Sequence, residues 1–154
     1  MDEHWFTLAL KYLQRRPRSI YEVRQYLQKK QIPESSIDGI LALLVEKRFL
    51  NDADFTKWWI DQRTRFKPKG KLLIALELRQ KGVPKAVIDE VYESEDEETI
   101  VTDLEKAKEL LTRKKEKFIS LSPQERYQKA GSFLARRGFS MDVISKSIDE
   151  VFKK

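Results

Sequence analysis

His4 is the only histidine and cysteine is absent, so the chain offers no His/Cys ligand cluster, no Ser-His or Cys-His nucleophile pair and no disulfide. Gly70-Lys71 has the look of the end of a phosphate loop, but Arg65 stands where the first glycine belongs and no strand is expected before it, which rules out a Walker A motif. The acidic run Glu95, Asp96, Glu97 and Glu98 reads as a solvated joint and helix start rather than a cation site. No catalytic residue, metal or cofactor is expected. The chemistry on offer is positive charge. It clusters at Lys11, Arg15, Arg16, Arg18 and Arg24; at Arg63, Arg65, Lys67, Lys69 and Lys71; at Arg113, Lys114, Lys115 and Lys117; and at Arg136 and Arg137. Arginine forks onto phosphates or carboxylates and lysine acts as a mobile point charge, so these residues are candidate contacts to DNA or to an acidic partner.

The elements that must position these cations are helices. Trp5, Leu8, Ala9, Tyr12 and Leu13 form one helical stripe, ended by Arg16-Pro17. Ser19 and Glu22 form a capping box that opens a second helix, with Ile20, Val23 and Leu27 facing inward, and Ile32-Pro33 breaks it. Ser35 or Ser36 is expected to cap a third helix carrying Ile37, Ile40, Leu41 and Leu44. The pattern then recurs at an offset of about 51 residues, which aligns Leu27 with Leu78, Lys30 with Lys81, Ile32 with Val83, Pro33 with Pro84 and Ile37 with Ile88. A weaker third copy aligns Leu134, Phe139 and Ile144 with Leu78, Val83 and Ile88. Its opening helix is expected from about Thr99 to Phe118, and Ser122-Pro123-Gln124-Glu125 starts the next. No segment alternates with period two, so no sheet is expected. The expected fold is all-α: tandem three-helix-bundle, helix-turn-helix-like repeats over 1–51, 52–94 and 95–154, in an elongated, curved array.

Composition agrees with this. Lysine and arginine outnumber aspartate and glutamate by 31 to 25, a net charge of +6, which favours polyanionic partners and also serves solubility. A charged fraction of 36% suits an extended helical body better than a compact sphere. Asp2, Glu3 and the lack of a long apolar run argue against a signal peptide, and runs such as Ile40 to Val45 are too short to span a bilayer. A cysteine-free chain fits the cytoplasm. Three of the basic clusters fall near junctions of first and second helices, so stacked repeats would line them up as a discontinuous track.

Four blocks together resemble the RecX family of recombination regulators: ALKYLQRRPRSIYEVRQYLQKK from Ala9, FLNDADFTKWWIDQRTR from Phe49, GKLLIALELRQKGV from Gly70 and KAGSFLARRGFSMDVI from Lys129. The resemblance implies a non-enzymatic, monomeric RecA modulator of DNA repair and the SOS response. Such a protein binds the RecA-type recombinase filament on single-stranded DNA, limits its ATPase, strand exchange and growth, and binds single-stranded DNA weakly by itself. It places the family's basic first turn on Arg15, Arg16 and Arg18, its central motif on Leu50, Asp52, Phe55, Trp59 and Arg63, and its third signature on Phe133, Arg136, Arg137, Gly138 and Phe139. Gln31 and Arg48 depart from the family, which usually has glycine at both turns. Phe55, Trp59, Phe133, Phe139 and Ile144 are expected in the core. Trp58 faces a partner or packs on a neighbouring repeat. A direct helix-turn-helix DNA binder and a helical adaptor are the alternatives.

Overall fold

Local punctuation sets the helix ends. A computed structural model describes residues 2–66, 68–94 and 96–153, and the side chains of all of these but 96–101. Among the described residues there are ten helices and no strand: α1 Glu3–Arg15, α2 Ile20–Lys29, α3 Glu34–Glu46, α4 Asp52–Arg65, α5 Lys71–Gln80, α6 Lys85–Ser94, α7 Asp96–Arg113, α8 Lys115–Ile119, α9 Pro123–Arg136 and α10 Met141–Val151. Arg16, held extended before Pro17, ends α1. Both bonds of the Ser19–Glu22 capping box are present at α2. Ser122 caps α9 by accepting from the Glu125 amide, with Pro123 behind it.

Two expectations about helix ends need correction. Neither Ser35 nor Ser36 caps α3: the chain enters at Pro33, whose fixed φ of −59° starts the helix and whose carbonyl accepts from the Ser36 and Ile37 amides. The helix expected over 99–118 is broken at Lys114, where φ is −110° and ψ is 17°, giving α7 and the short α8. The break lets Phe118 bury to 3% exposure, and Arg126 closes the end of α8 by donating to the carbonyls of Phe118, Ile119 and Leu121.

The chain divides into two compact units, 1–59 with 77–91, and 60–76 with 92–154. The first contains a core of Ala9, Val23, Leu27, Ile37, Ile40 and Leu44, with Trp5, Tyr12, Leu13 and Ile20 packed partly buried against it. The second is built on Ala107, Leu111, Phe118, Leu134, Ile144 and Ile148. The repeat aligned above is visible in burial: Leu27, Leu78 and Leu134 are wholly inaccessible, as are the Ile37, Ile88 and Ile144 side chains to within 2%. Each such side chain contributes about 1.5–3 kcal/mol by leaving water. Phe55 and Phe139 are core as expected, whereas Trp59 and Phe133 are only half-buried.

A recurring joint holds one repeat to the next. Asp52, the first residue of α4, accepts from the Ile20 amide at 2.9 Å; Asp103 of α7 accepts from the Lys71 amide at 2.9 Å, and both bonds span 32 residues. Each acid thereby satisfies a first-turn N–H of the preceding repeat's second helix. Burial pushes both carboxyls above the ordinary aspartate value, against the hydrogen bonds that favour the ion. The turns after α2, α3, α5 and α9 take positive φ. Gly82 and Gly138 supply it at 77° and 90°, and Gln31 and Arg48, the two departures from the family pattern, adopt it at 61° and 64°. Their geometry is therefore that of the glycine turn, with side chains exposed to solvent.

Candidate functional site: a basic cleft in the second unit

The loop between α4 and α5 is pinned in place by four polar contacts. Gly70 donates to the Arg137 carbonyl at 2.7 Å, Leu72 to the Gly138 carbonyl at 3.1 Å and Lys71 to Asp103, while the Lys106 ammonium reaches the Lys69 carbonyl at 3.1 Å. No side chain fits at Gly70, where a Cβ would lie 2.2 Å from the Gly138 carbonyl oxygen. Lys106 is itself buried to 7% exposure beside Asp103, and burial pulls its ammonium below the ordinary lysine value.

This docking brings sequence-distant cations together. Lys69, Arg113, Lys114, Arg136 and Arg137 line one cleft of about 410 Å³ with an apolar floor of Pro68, Leu73 and Leu110. Phe66 stands at its edge, 73% exposed. Phe133 lies beneath two of the cations, with the Lys114 ammonium 5.0 Å and the Arg137 guanidinium 4.9 Å from its ring centre. This accounts for its partial exposure, because a ring that supports cations cannot be sealed in the core. Arg113 also bonds Glu109 on its own helix. No carboxylate lines the cleft among the described residues. Five positive groups around an apolar floor attract phosphates or a dense patch of carboxylates, and exclude cations.

The other expected contacts fall elsewhere. Arg65 is exposed and paired with Asp61, Lys71 stands 4.7 Å over the Tyr92 ring, Arg63 is half-buried, Lys115 is exposed outside the cleft, and Lys67 lies outside the described residues, as does Glu95 of the acidic joint.

In the first unit the basic turn is largely occupied by structure. Arg16 grips the buried Glu22 with both ends of its fork, and its guanidinium stands 6.0 Å from Phe55 and 5.7 Å from Trp58. Trp58 thus packs beneath Arg16, tilted against Phe55 and Trp59. Glu22 also receives the Ser19 amide and has Lys81 at 3.6 Å; burial works to raise its pKa, and these bonds and charges outweigh it and hold the carboxyl below its ordinary value. Arg24 clips Glu34 and Asp38 at 2.9 and 2.8 Å. Arg18 stacks 3.9 Å over Tyr12, and desolvation with neighbouring Arg16 lowers its pKa. Of the four arginines of this cluster, only Arg15 presents an exposed head with no ion pair among the described residues.

Sequence reasoning found the cations of the cleft but not their convergence, which depends on the backbone bonds from Gly70 and Leu72. It also passed over Phe66, whose signal was an aromatic residue just outside the helical period. Asp103 and Lys106 escaped notice because they sit in a helix that reads as a solvated, charge-rich face.

The chain is thus an all-α protein of successive three-helix repeats with a cation-lined cleft in its second unit. Comparison with known proteins gives it a family. The first, second and third three-helix domains of RecX match residues 6–44, 51–91 and 102–148. Regulatory protein RecX of Chlorobium phaeobacteroides is 30% identical over 99% of this chain and 96% of its own length. Those of Bacillus subtilis and Lactobacillus gasseri are 34% identical over 95% and 92% of the chain, which spans 54% and 51% of their lengths. The crystal structure of RecX from Lactobacillus salivarius superposes with a TM-score of 0.88 at 24% identity, covering 97% of this chain and 95% of that one. The chain belongs to the RecX family of regulatory proteins. No described helix is long and apolar enough to cross a membrane.

Proposed function

We propose that this chain binds RecA-type recombinase filaments on single-stranded DNA and inhibits their ATPase, strand exchange and growth. It acts as a monomer in the cytoplasm, without catalysing a reaction, and holds naked single-stranded DNA only weakly. Membership of the RecX family supports the partner, and the convergence of Lys69, Arg113, Lys114, Arg136 and Arg137 on one cleft carries the reading. A filament presents DNA phosphates and protein carboxylates at regular intervals. Several modest contacts on one small protein add up when each holds the next at high local concentration.

Titrating the chain into a recombinase ATPase reaction dependent on single-stranded DNA tests the proposal. Hydrolysis is expected to fall as the chain is added, and to be restored in large part by the combined change Lys114→Glu, Arg136→Glu and Arg137→Glu. Unchanged hydrolysis at saturating chain, or tight and steeply salt-dependent binding to naked duplex DNA, would overturn it in favour of direct DNA recognition.

A further inference from the structure

The first unit contains a feature that filament binding does not require. The rings of Tyr12 on α1 and Tyr26 on α2 lie parallel, 4.1 Å apart and 6° from coplanar. The Arg18 guanidinium is 3.9 Å from the Tyr12 ring centre and the Lys30 ammonium 5.5 Å from that of Tyr26. Beside this column runs a groove of about 360 Å³, lined by Tyr12, Tyr26 and the 43% exposed Tyr21. Arg15, Lys29 and Lys81 also line it. Arg15 and Lys29 are exposed and make no ion pair among the described residues. The one acid lining the groove among the described residues, Glu22, is held by Arg16 and Lys81. The Tyr21 hydroxyl accepts from the Gln25 side-chain amide, so both hydrogen-bonding and flat apolar surfaces face the same space.

The stacked column closes the faces of Tyr12 and Tyr26 and leaves the Tyr21 ring open to the groove, and we propose that the groove holds a nucleotide of a single-stranded nucleic acid, its base against Tyr21 and its phosphates on Arg15 and Lys29. An open phenol ring beside unpaired cations fits this ligand better than an acidic peptide, which would use the charges and leave the ring idle. Every base has a face that stacks on an aromatic ring or a guanidinium plane, and only an unpaired strand leaves that face open. The Gln25 side-chain amide and the Tyr21 hydroxyl, already bonded to one another, supply polar groups beside that ring. The inference rests on the reading above only in taking a single strand as the ligand. Its test omits the recombinase, so failure here leaves the ATPase result untouched.

The test is equilibrium binding of the full chain to labelled oligothymidylate, oligouridylate and an abasic strand of equal length. Loss of the bases is expected to weaken binding on the order of tenfold, the effect of one stacked base. Arg15→Glu with Lys29→Glu is expected to weaken binding of all three strands. Photocrosslinking with a bromodeoxyuridine-substituted strand is expected to label Tyr21, recovered in the tryptic peptide Ser19–Arg24. Preference for thymidylate or for uridylate both agree with the proposal. Equal affinity for the abasic strand, or crosslinks confined to peptides beyond Lys30, overturns it whether or not substitutions at the tyrosines fold.

Discussion

A Cβ placed on Gly82 would lie 2.3 Å from the Cβ of Tyr21, well inside the distance at which two carbon atoms can touch. The same holds for Gly138, whose Cβ would meet that of Leu73 at 2.3 Å. These two turns therefore need glycine twice over, for positive φ and for the approach of the preceding repeat. At Gln31 and Arg48 the side chains are exposed, and only the φ requirement operates. Gly82→Ala and Gly138→Ala are expected to lower unfolding free energy in urea by more than the roughly 1–2 kcal/mol of a left-handed residue. Gln31→Gly or Arg48→Gly is expected to raise it by up to about 1 kcal/mol.

The Arg15, Arg16 and Arg18 turn separates into two kinds of residue. Arg16→Ala leaves Glu22 buried without its fork and is expected to cost about 1.5–3 kcal/mol in chemical denaturation. Arg15→Ala is expected to change stability by less than about 0.5 kcal/mol. A triple alanine variant of Arg15, Arg16 and Arg18 is thus expected to lose stability along with charge. Inhibition assays on this turn should use Arg15 alone.

Acid stability should report Glu22. Its carboxyl is held below the ordinary 4.5 in the folded chain and returns to it on unfolding, so its contribution is complete above that value and is lost as pH falls through the depressed one. Asp52 and Asp103 work in the opposite sense: their raised folded values mean that the ionised forms cost stability at neutral pH, a cost relieved on acidification. Glu22→Gln is expected to flatten or reverse the fall in thermal midpoint below about pH 4.5. An unchanged acid limb would show that the pair with Arg16 does not set it.

Leu27→Ala and Leu78→Ala remove equivalent, fully buried side chains. Each is expected to cost about 2–5 kcal/mol by urea titration, and a change within error would mean that the inward face assigned to these helices is wrong.

Salt dependence gives an independent handle on the cleft. If Lys114, Arg136 and Arg137 contact phosphates of a naked single strand, neutralising each should lower the slope of log affinity against log salt by about 0.7, with little change in the unfolding midpoint.

What was readable from residues alone follows the range of the interactions involved. The capping box at Ser19 and Glu22, the stop at Pro17 and the thrice-recurring Leu27, Leu78 and Leu134 are set by neighbours a turn or so away, and periodicity exposes them. The break at Lys114 was invisible because no proline or glycine marks it; its cause lies in burying Phe118 and in the distant Arg126. The cleft was half legible. Positive charge at Lys69, Lys114 and Arg137 announces itself, but their meeting depends on a 2.7 Å bond between Gly70 and Arg137 that no local pattern encodes. Arg16 and Arg24 look like surface cations until Glu22, Glu34 and Asp38 are found around them.

Asp52 and Asp103 give the architecture a direction. In each case the middle helix of one cassette begins under a lid supplied by the cassette downstream, so assembly is interlocked from the carboxyl side towards the amino side. A duplicated cassette arrives with both halves of the fastening, an open amide at one position and an aspartate at the other. Lengthening such a chain by whole cassettes needs no new joint to be invented.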